Sequence, residues 1–209
     1  MKYEITNEAH PDNPNLRRIK ALRDFGDVKK GDLGGYIESE KNLSQEGNCW
    51  VSGTARVYGN ARVYGTARVY EDAWVYGDAS VYGNARVSGT AWVYGNARVS
   101  YNALVCGDAK VSGDAWVFGF AKVSGDAWVY ENAKVYGNAE VYGDAKVSGD
   151  AWVYGNAKVY GGAVLSWNAV VSGDTVVSGD TVVSGDTEEP VSQFPNEITI
   201  DGVVYVKKA

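Results

Sequence analysis

From Val51 to Val183 every sixth residue is Val, with Leu165 the one exception. Four residues after each comes a small residue: Ala from Ala55 through Ala169, then Thr175, Thr181 and Thr187. The run has no insertion or deletion, and a fixed short period of this kind marks a solenoid. In one unit, Ala61-Arg62-Val63-Tyr64-Gly65-Thr66, the first four residues alternate small, polar, apolar and large. That is the period-two pattern of a short strand with one buried face, so Ala61 and Val63 point inward and Arg62 and Tyr64 outward. The last two residues turn the chain, because Gly tolerates the backbone angles of a corner and Asn or Asp bonds its own backbone. Hairpins between successive units would put Val on alternating sides, and the units show no such alternation. The pattern therefore predicts a coil with three flat sides, in which every third unit stacks as a parallel strand.

This unit resembles the hexapeptide-repeat, left-handed β-helix family, which places three hexapeptides in each coil. The left hand is implied by the resemblance alone, since parallel crossovers in general favour the right. Extending the frame backwards places Leu33, Ile37, Leu43 and Cys49 on inward positions, with Ser39 and Gln45 fitting poorly. The expected fold class is all-β: a parallel β-solenoid of roughly nine coils over residues 33–188, about 40 Å long at ~4.8 Å per coil.

The two ends do not repeat. Residues 1–32 form an expected N-terminal cap, needed because a solenoid end exposes apolar core and unpaired backbone. Within it, residues 15–25 fit helix or strand by pattern, and a strand covering the first coil is the expected form. Residues 21–36, with Asn42-Leu43-Ser44 and Gly47-Asn48-Cys49-Trp50, resemble the leader of uncharacterised hexapeptide-repeat proteins of bacteria and their phages, similar to the YdcK-like group. That resemblance implies a phage or prophage origin and brings no defined activity with it. At the other end Glu188-Glu189-Pro190 breaks the repeat, and residues 189–209 are expected to be a linker and a β-hairpin around Asp201-Gly202. Outward positions of the last coils switch to Val164, Val170, Val176 and Val182, an apolar patch expected to dock the hairpin or a second subunit.

Composition narrows the function classes. The chain carries a net charge of −6, which argues against nucleic acid, whose binders show a basic stripe. No apolar run is long enough to span a membrane and no signal segment opens the chain, so a cytoplasmic protein is expected. Cys49 should face inward and Cys106 outward, about three coils apart, too far to bridge.

Candidate chemistry is sparse. Hexapeptide-repeat acyltransferases generally use a His as base, and a base must reach the proton it removes. His10 is the one His, and it reads as a solvated loop residue outside the repeat. One His cannot supply the three ligands of the zinc-dependent branch of this fold. The corner residues Asp108, Asp126 and Asp144 on one edge, and Asp114, Asn132 and Asp150 on another, offer oxygen ligands for calcium. One carboxylate per coil is sparse for that, and a ladder that stabilises the turns is the expected role. No metal and no cofactor are expected, and the chain is read as not an enzyme.

The outward positions carry the strongest signal. The candidate binding surface is Arg56, Tyr58, Trp74, Tyr76, Trp92, Tyr94, Trp128 and Tyr130 on the first side, and Trp116, Phe118, Trp152 and Tyr154 on the second. The third side, which begins at Trp50 and Ser52, is poorer in aromatics. Stacked like residues, with Arg or Lys over rings, stabilise neighbouring strands. Trp, Tyr and Arg also dominate protein interfaces. The expected function is a non-enzymatic rigid binding or scaffold protein acting through these faces on a protein partner or on itself as a homo-oligomer, with carbohydrate as another ligand class. An inhibitor of a host defence protein and a degenerate acyltransferase are the competing readings.

Overall fold

A computed structural model describes residues 1–185 and the strand residues 197–200 and 203–206. Each hexad contributes a short ladder strand and a two-residue corner, and strands three hexads apart pair in parallel: Trp74 lies opposite Trp92, and Val75 opposite Val93. The first side of the coil runs from Arg56–Val57 through Trp92–Val93 to Val182–Gly185. The second runs from Arg62–Val63 to Val170–Val171, and the third from Trp50–Val51 to Val176–Val177. The fold is a parallel β-solenoid of about eight turns, slightly fewer than the repeat alone suggests.

Backbone polar groups are satisfied from coil to coil, as buried amides require. Trp92 N–H donates to Ala109 O at 2.9 Å, Tyr94 N–H to Val111 O at 3.0 Å and Asn96 N–H to Gly113 O at 2.8 Å. Inside, the Val and Ala positions from Val51 to Ala163 are essentially free of solvent, and Leu165 is fully buried in a Val position. Each such Val contributes about 1.5–3 kcal/mol by leaving water. Corners turn through left-handed backbone, mostly at Gly; Gly77 has φ 71°, and a Cβ there would meet Gly95 N at 3.0 Å. Among the described residues, four corners use other residues at positive φ: Glu71, Tyr101, Glu131 and Trp167. A left-handed L-residue costs roughly 1–2 kcal/mol. Glu71 and Glu131 offset part of that, because their carboxylates accept the N–H of Gly89 and of Gly149 in the next coil.

The first coil departs from the period. Strand β1 (Tyr3–His10) pairs antiparallel with β2 (Asn13–Ala21), and β2 pairs antiparallel with β3 (Leu33–Ile37), so the cap extends the first side of the solenoid. The strand expected over residues 15–25 is β2, ending at Ala21, and β1 joins it as a strand that the pattern does not announce. Tyr36 and Ile37 then pair with Arg56 and Val57, and Leu43 bridges Val63, two residues further along than the regular offset that returns at Trp50 opposite Arg68. The two extra residues lie between Leu43 and Trp50. They correct the backward frame: Ile37 and Leu43 take Val positions, Cys49 takes an Ala position, and Leu33 is 53% exposed rather than inward. A short 3-10 turn, Glu40–Asn42, stands where a second-side strand would be, and the buried Asn42 amide donates to Gly59 O at 3.0 Å and Ala61 O at 2.9 Å. One side chain thereby serves carbonyls that lack a strand above them.

The cap closes the open core. Tyr3, Ile19, Phe25 and Val28 are buried with Trp50 in one apolar cluster, and Trp50 meets Tyr3 and Phe25 edge-on at 6.3 and 5.3 Å. Trp50 is therefore a buried contact of the cap, not an outward residue of the third side. Lys2 is buried as well, its ammonium donating to Cys49 O at 2.9 Å.

Toward the C-terminal end Thr replaces Ala, and the Thr175 and Thr181 hydroxyls donate back to Ser172 O and Ser178 O at 2.6 and 2.7 Å. Val170 and Val182 are exposed and Val164 and Val176 half-buried, and they are spread over the three sides: Val164 and Val182 on the first, Val170 on the second and Val176 on the third. Strand Glu197–Ile200 pairs antiparallel with Val203–Val206, as the Asp-Gly turn predicts. The expected end of the repeat at Glu188-Glu189-Pro190 and the docking of the hairpin lie outside the described residues. Among the described residues no helix is long and apolar enough to cross a membrane.

Candidate functional site

The solenoid places the sequence-derived surface residues on two separate faces. On the first, the residue preceding each Val builds one continuous column. Arg56 lies 4.5 Å over Trp74, Trp74 stacks on Trp92 at 5.3 Å, and Lys110 bridges Trp92 and Trp128 at 5.2 and 4.6 Å. Lys146 closes the column at 5.8 Å from Trp128. The residue after each Val builds a second column beside it: Tyr58, Tyr76 and Tyr94 stack at 5.1 Å with planes 2° and 3° apart. Tyr130 stands apart from that stack and meets Trp128 edge-on at 6.4 Å.

The second face is built alike. Phe118, Tyr136 and Tyr154 stack at 4.8 and 5.0 Å, and Lys134 lies 4.7 Å over Trp152. Trp116 differs. It tilts onto Phe118 at 4.4 Å, and its Nε1–H donates to Ser100 Oγ at 3.1 Å. Lys110, Lys134, Lys146 and Tyr136 lie outside the sequence-derived set, yet they link its members. Their signal was present in the sequence, since each occupies the same outward position as its aromatic neighbours one coil away.

These columns are half-buried, with Trp128 and Trp152 the most open at 40%. Burial pushes the Tyr76 hydroxyl above its ordinary range, and the Tyr58 and Tyr94 phenols beside it act in the same direction. Burial raises Tyr136 as well. The Tyr76 and Tyr136 phenols therefore stay protonated and present hydrogen-bond donors. Tyr76 and Tyr136 carry a stacked ring on each side, whereas Trp74 and Trp92 carry a ring on one side and a cation on the other.

Arg56 is less open than the sequence implies. Asp12 of the cap lies 3.7 Å from its guanidinium, and its Nε is buried without a hydrogen-bond partner. His10, at the end of β1, is also corrected: it is buried, edge-on to Tyr36 at 4.7 Å, not a solvated loop residue. Burial is the first cause holding its pKa below the ordinary value, and the Arg56 charge adds to it. Its Nδ1 accepts the Asp12 N–H at 3.1 Å. The neutral ring then carries its proton on Nε2, and its one free lone pair is already in use.

The corner residues form side-chain ladders. The amides of Asn60, Asn96 and Asn156 donate to Asp78, Asp114 and Asp174 at 2.9, 3.0 and 2.9 Å, and Thr90 donates to Asp108. A concavity lies on the third side, which aromatic counting ranks last. It is a shallow groove of about 1000 Å³ lined by Arg68, Tyr70, Arg86 and Leu104, with Asn84 and Asn102 on its edge. Asp27 of the cap pairs with Arg68 at its upper end. Cys106 sits on this side, half-buried, with its thiol pushed up by burial.

A family model described as the YdcK β-solenoid repeat matches residues 55–71, 61–77 and 79–95. A protein of Escherichia coli (strain K12), "Uncharacterized acetyltransferase YdcK", is 43% identical over 49 residues, which is 23% of this chain and 15% of that protein. The chain thus matches a small part of that relative's length. The relative's name corrects the expectation that this chain is not an enzyme: a protein with the same repeats carries the name of a transferase.

Proposed function

We propose that this chain, a hexapeptide β-solenoid of the YdcK-like type, presents its two aromatic faces as a rigid docking surface for a protein partner. The observation that carries this reading is the unbroken column from Arg56 to Lys146, in which three indoles and three cations lie over one another in successive coils. Such a surface is ordered before binding. A partner therefore loses little of its binding energy to the ordering of side chains, a cost of about 0.5–1.5 kcal/mol for each one immobilised. Its residue types are those that supply most of the energy in interfaces. A host protein inhibited by a phage-type binder, and a second copy meeting the last coils at Val164, Val170, Val176 and Val182, are two forms of the same reading.

The test compares the native chain with a Trp74→Ser, Trp92→Ser, Trp128→Ser variant whose fold is checked by circular dichroism. Each is cross-linked in host lysate through its lysines. A partner that cross-links at Lys110 and Lys146 of the native chain and is lost with the variant supports the reading. The same partner on both sinks it.

The relative's name supports a second reading, transfer of an acetyl group. His10 would have to give up its Asp12 bond to act as a base, so in this reading the base comes from a site shared between copies. Consumption of acetyl-coenzyme A that rises steeply with protein concentration, and is unchanged in His10→Gln, is the expected result. No consumption at any concentration would remove the reading.

A further inference from the structure

The tyrosine column of the first face has a gap one rung deep. Tyr58, Tyr76 and Tyr94 stack, Ser112 follows, and the aromatic series resumes at Tyr130. The second face has the same gap at Ser100, between Tyr82 and Phe118. There the chain fills it with its own ring. Trp116 turns out of its column, tilts onto Phe118 at 4.4 Å and donates to Ser100 Oγ, leaving Ser100 with no exposed surface. Trp128 holds the equivalent position beside Ser112 and behaves differently. Lys110 and Lys146 hold its ring from either side at 4.6 and 5.8 Å, and it stays in its own column, edge-on to Tyr130. Ser112 remains half-exposed.

Tyr94 and Tyr130 are two coils apart, roughly 9–10 Å at ~4.8 Å per strand. Rungs in the intact columns are 4.8 to 5.1 Å apart, so the gap is one ring thick. We propose that the gap over Ser112 is a binding slot for an aromatic side chain of the partner protein, stacked between Tyr94 and Tyr130. Its hydroxyl offers the acceptor that Ser100 offers Trp116, so the slot prefers rings bearing a donor, Trp or Tyr, over Phe. This rests on the docking surface proposed above and names the anchor it takes.

The probe is 3-methylindole, the side chain of Trp, titrated into the full chain while the Tyr94 and Tyr130 ring signals are followed by NMR. Both should shift and saturate in the low millimolar range, as expected for one small ring (roughly 4 kcal/mol). Ser112→Phe fills the slot and should abolish the shifts. Ser112→Ala, a change too small to disturb the coil, should weaken binding several-fold by removing the acceptor. Absence of shifts at Tyr94 and Tyr130 overturns the slot, as do shifts of equal size in the native chain and in Ser112→Ala. If the slot fails while the triple Trp variant still loses its partner, only the slot is lost and the docking face stands.

Discussion

The repeating middle and the N-terminal cap of this protein bury their surfaces by opposite means. In the middle, coil after coil presents the same Val and Ala to the core, and like residues meet like: Val111 pairs with Val93 on one side and Val129 on the other. In the cap nothing repeats. Tyr3, Phe25 and Trp50 fill one end with three different rings, a buried lysine donates to the Cys49 carbonyl, and a single amide stands in for a strand. A repeat interface is short-range, and each coil contacts only its neighbours, so stability accumulates by addition. A cap has no further neighbour and must satisfy its polar groups one at a time. The middle is redundant and the cap is singular.

That contrast can be broken most severely from inside. Val117→Asp puts a charge into a core that offers no partner, and should cost about 4 kcal/mol or more, read as the urea midpoint. A loss under about 1 kcal/mol would mean that the coil opens locally to admit water. Trp50→Ala should cost about 3–5 kcal/mol by emptying the ring cluster under the cap. Because the damage sits at one end, hydrogen exchange should rise first in β1–β3 and the first coil while the later coils stay protected. Uniform exchange along the whole chain would contradict the additive picture. Asn42→Ala leaves the Gly59 and Ala61 carbonyls without their amide donor and should cost about 1–3 kcal/mol.

The smallest effect separates two kinds of corner. Tyr101→Gly removes a left-handed L-residue whose ring is largely exposed, and should stabilise by about 1 kcal/mol. Glu131→Gly removes the same backbone cost but also the acceptor of the Gly149 N–H, and should be close to neutral. Thermal melts of the two variants decide it. Equal shifts would show that the carboxylate bond contributes nothing.

The same contrast governs what could be read in the chain. Val and Ala positions are legible because alternation and period both fix them, and the ladder confirms each from Val51 onward. The frame slips before that because two extra residues between Leu43 and Trp50 follow no period, and because Asn42 does with a side chain what elsewhere the backbone does. Trp50 resembles every other outward Trp in its hexad, and its burial depends on a cap loop more than twenty residues upstream. His10 is buried for a similar reason: the pairing of β1 with β2 and the ring of Tyr36 enclose it, and neither is visible in its immediate neighbours. On the surface the aromatic columns follow from spacing, whereas the different postures of Trp116 and Trp128 do not, since each is flanked by a cation one coil above and below. The third-side groove escaped because counting aromatic residues says nothing about shape.

Because every third hexad is interchangeable in register, the molecule can be lengthened or shortened in whole coils, as a ruler is cut at its marks. Excision of residues 100–117 would remove one coil, both interrupting serines and Trp116 together. Tyr94 would then meet Tyr130 and Tyr82 would meet Phe118, closing both columns in a single genetic event. Gene duplication in such a protein edits spacing rather than fold, and a partner that reads this surface would be tracked through evolution by distances measured in coils.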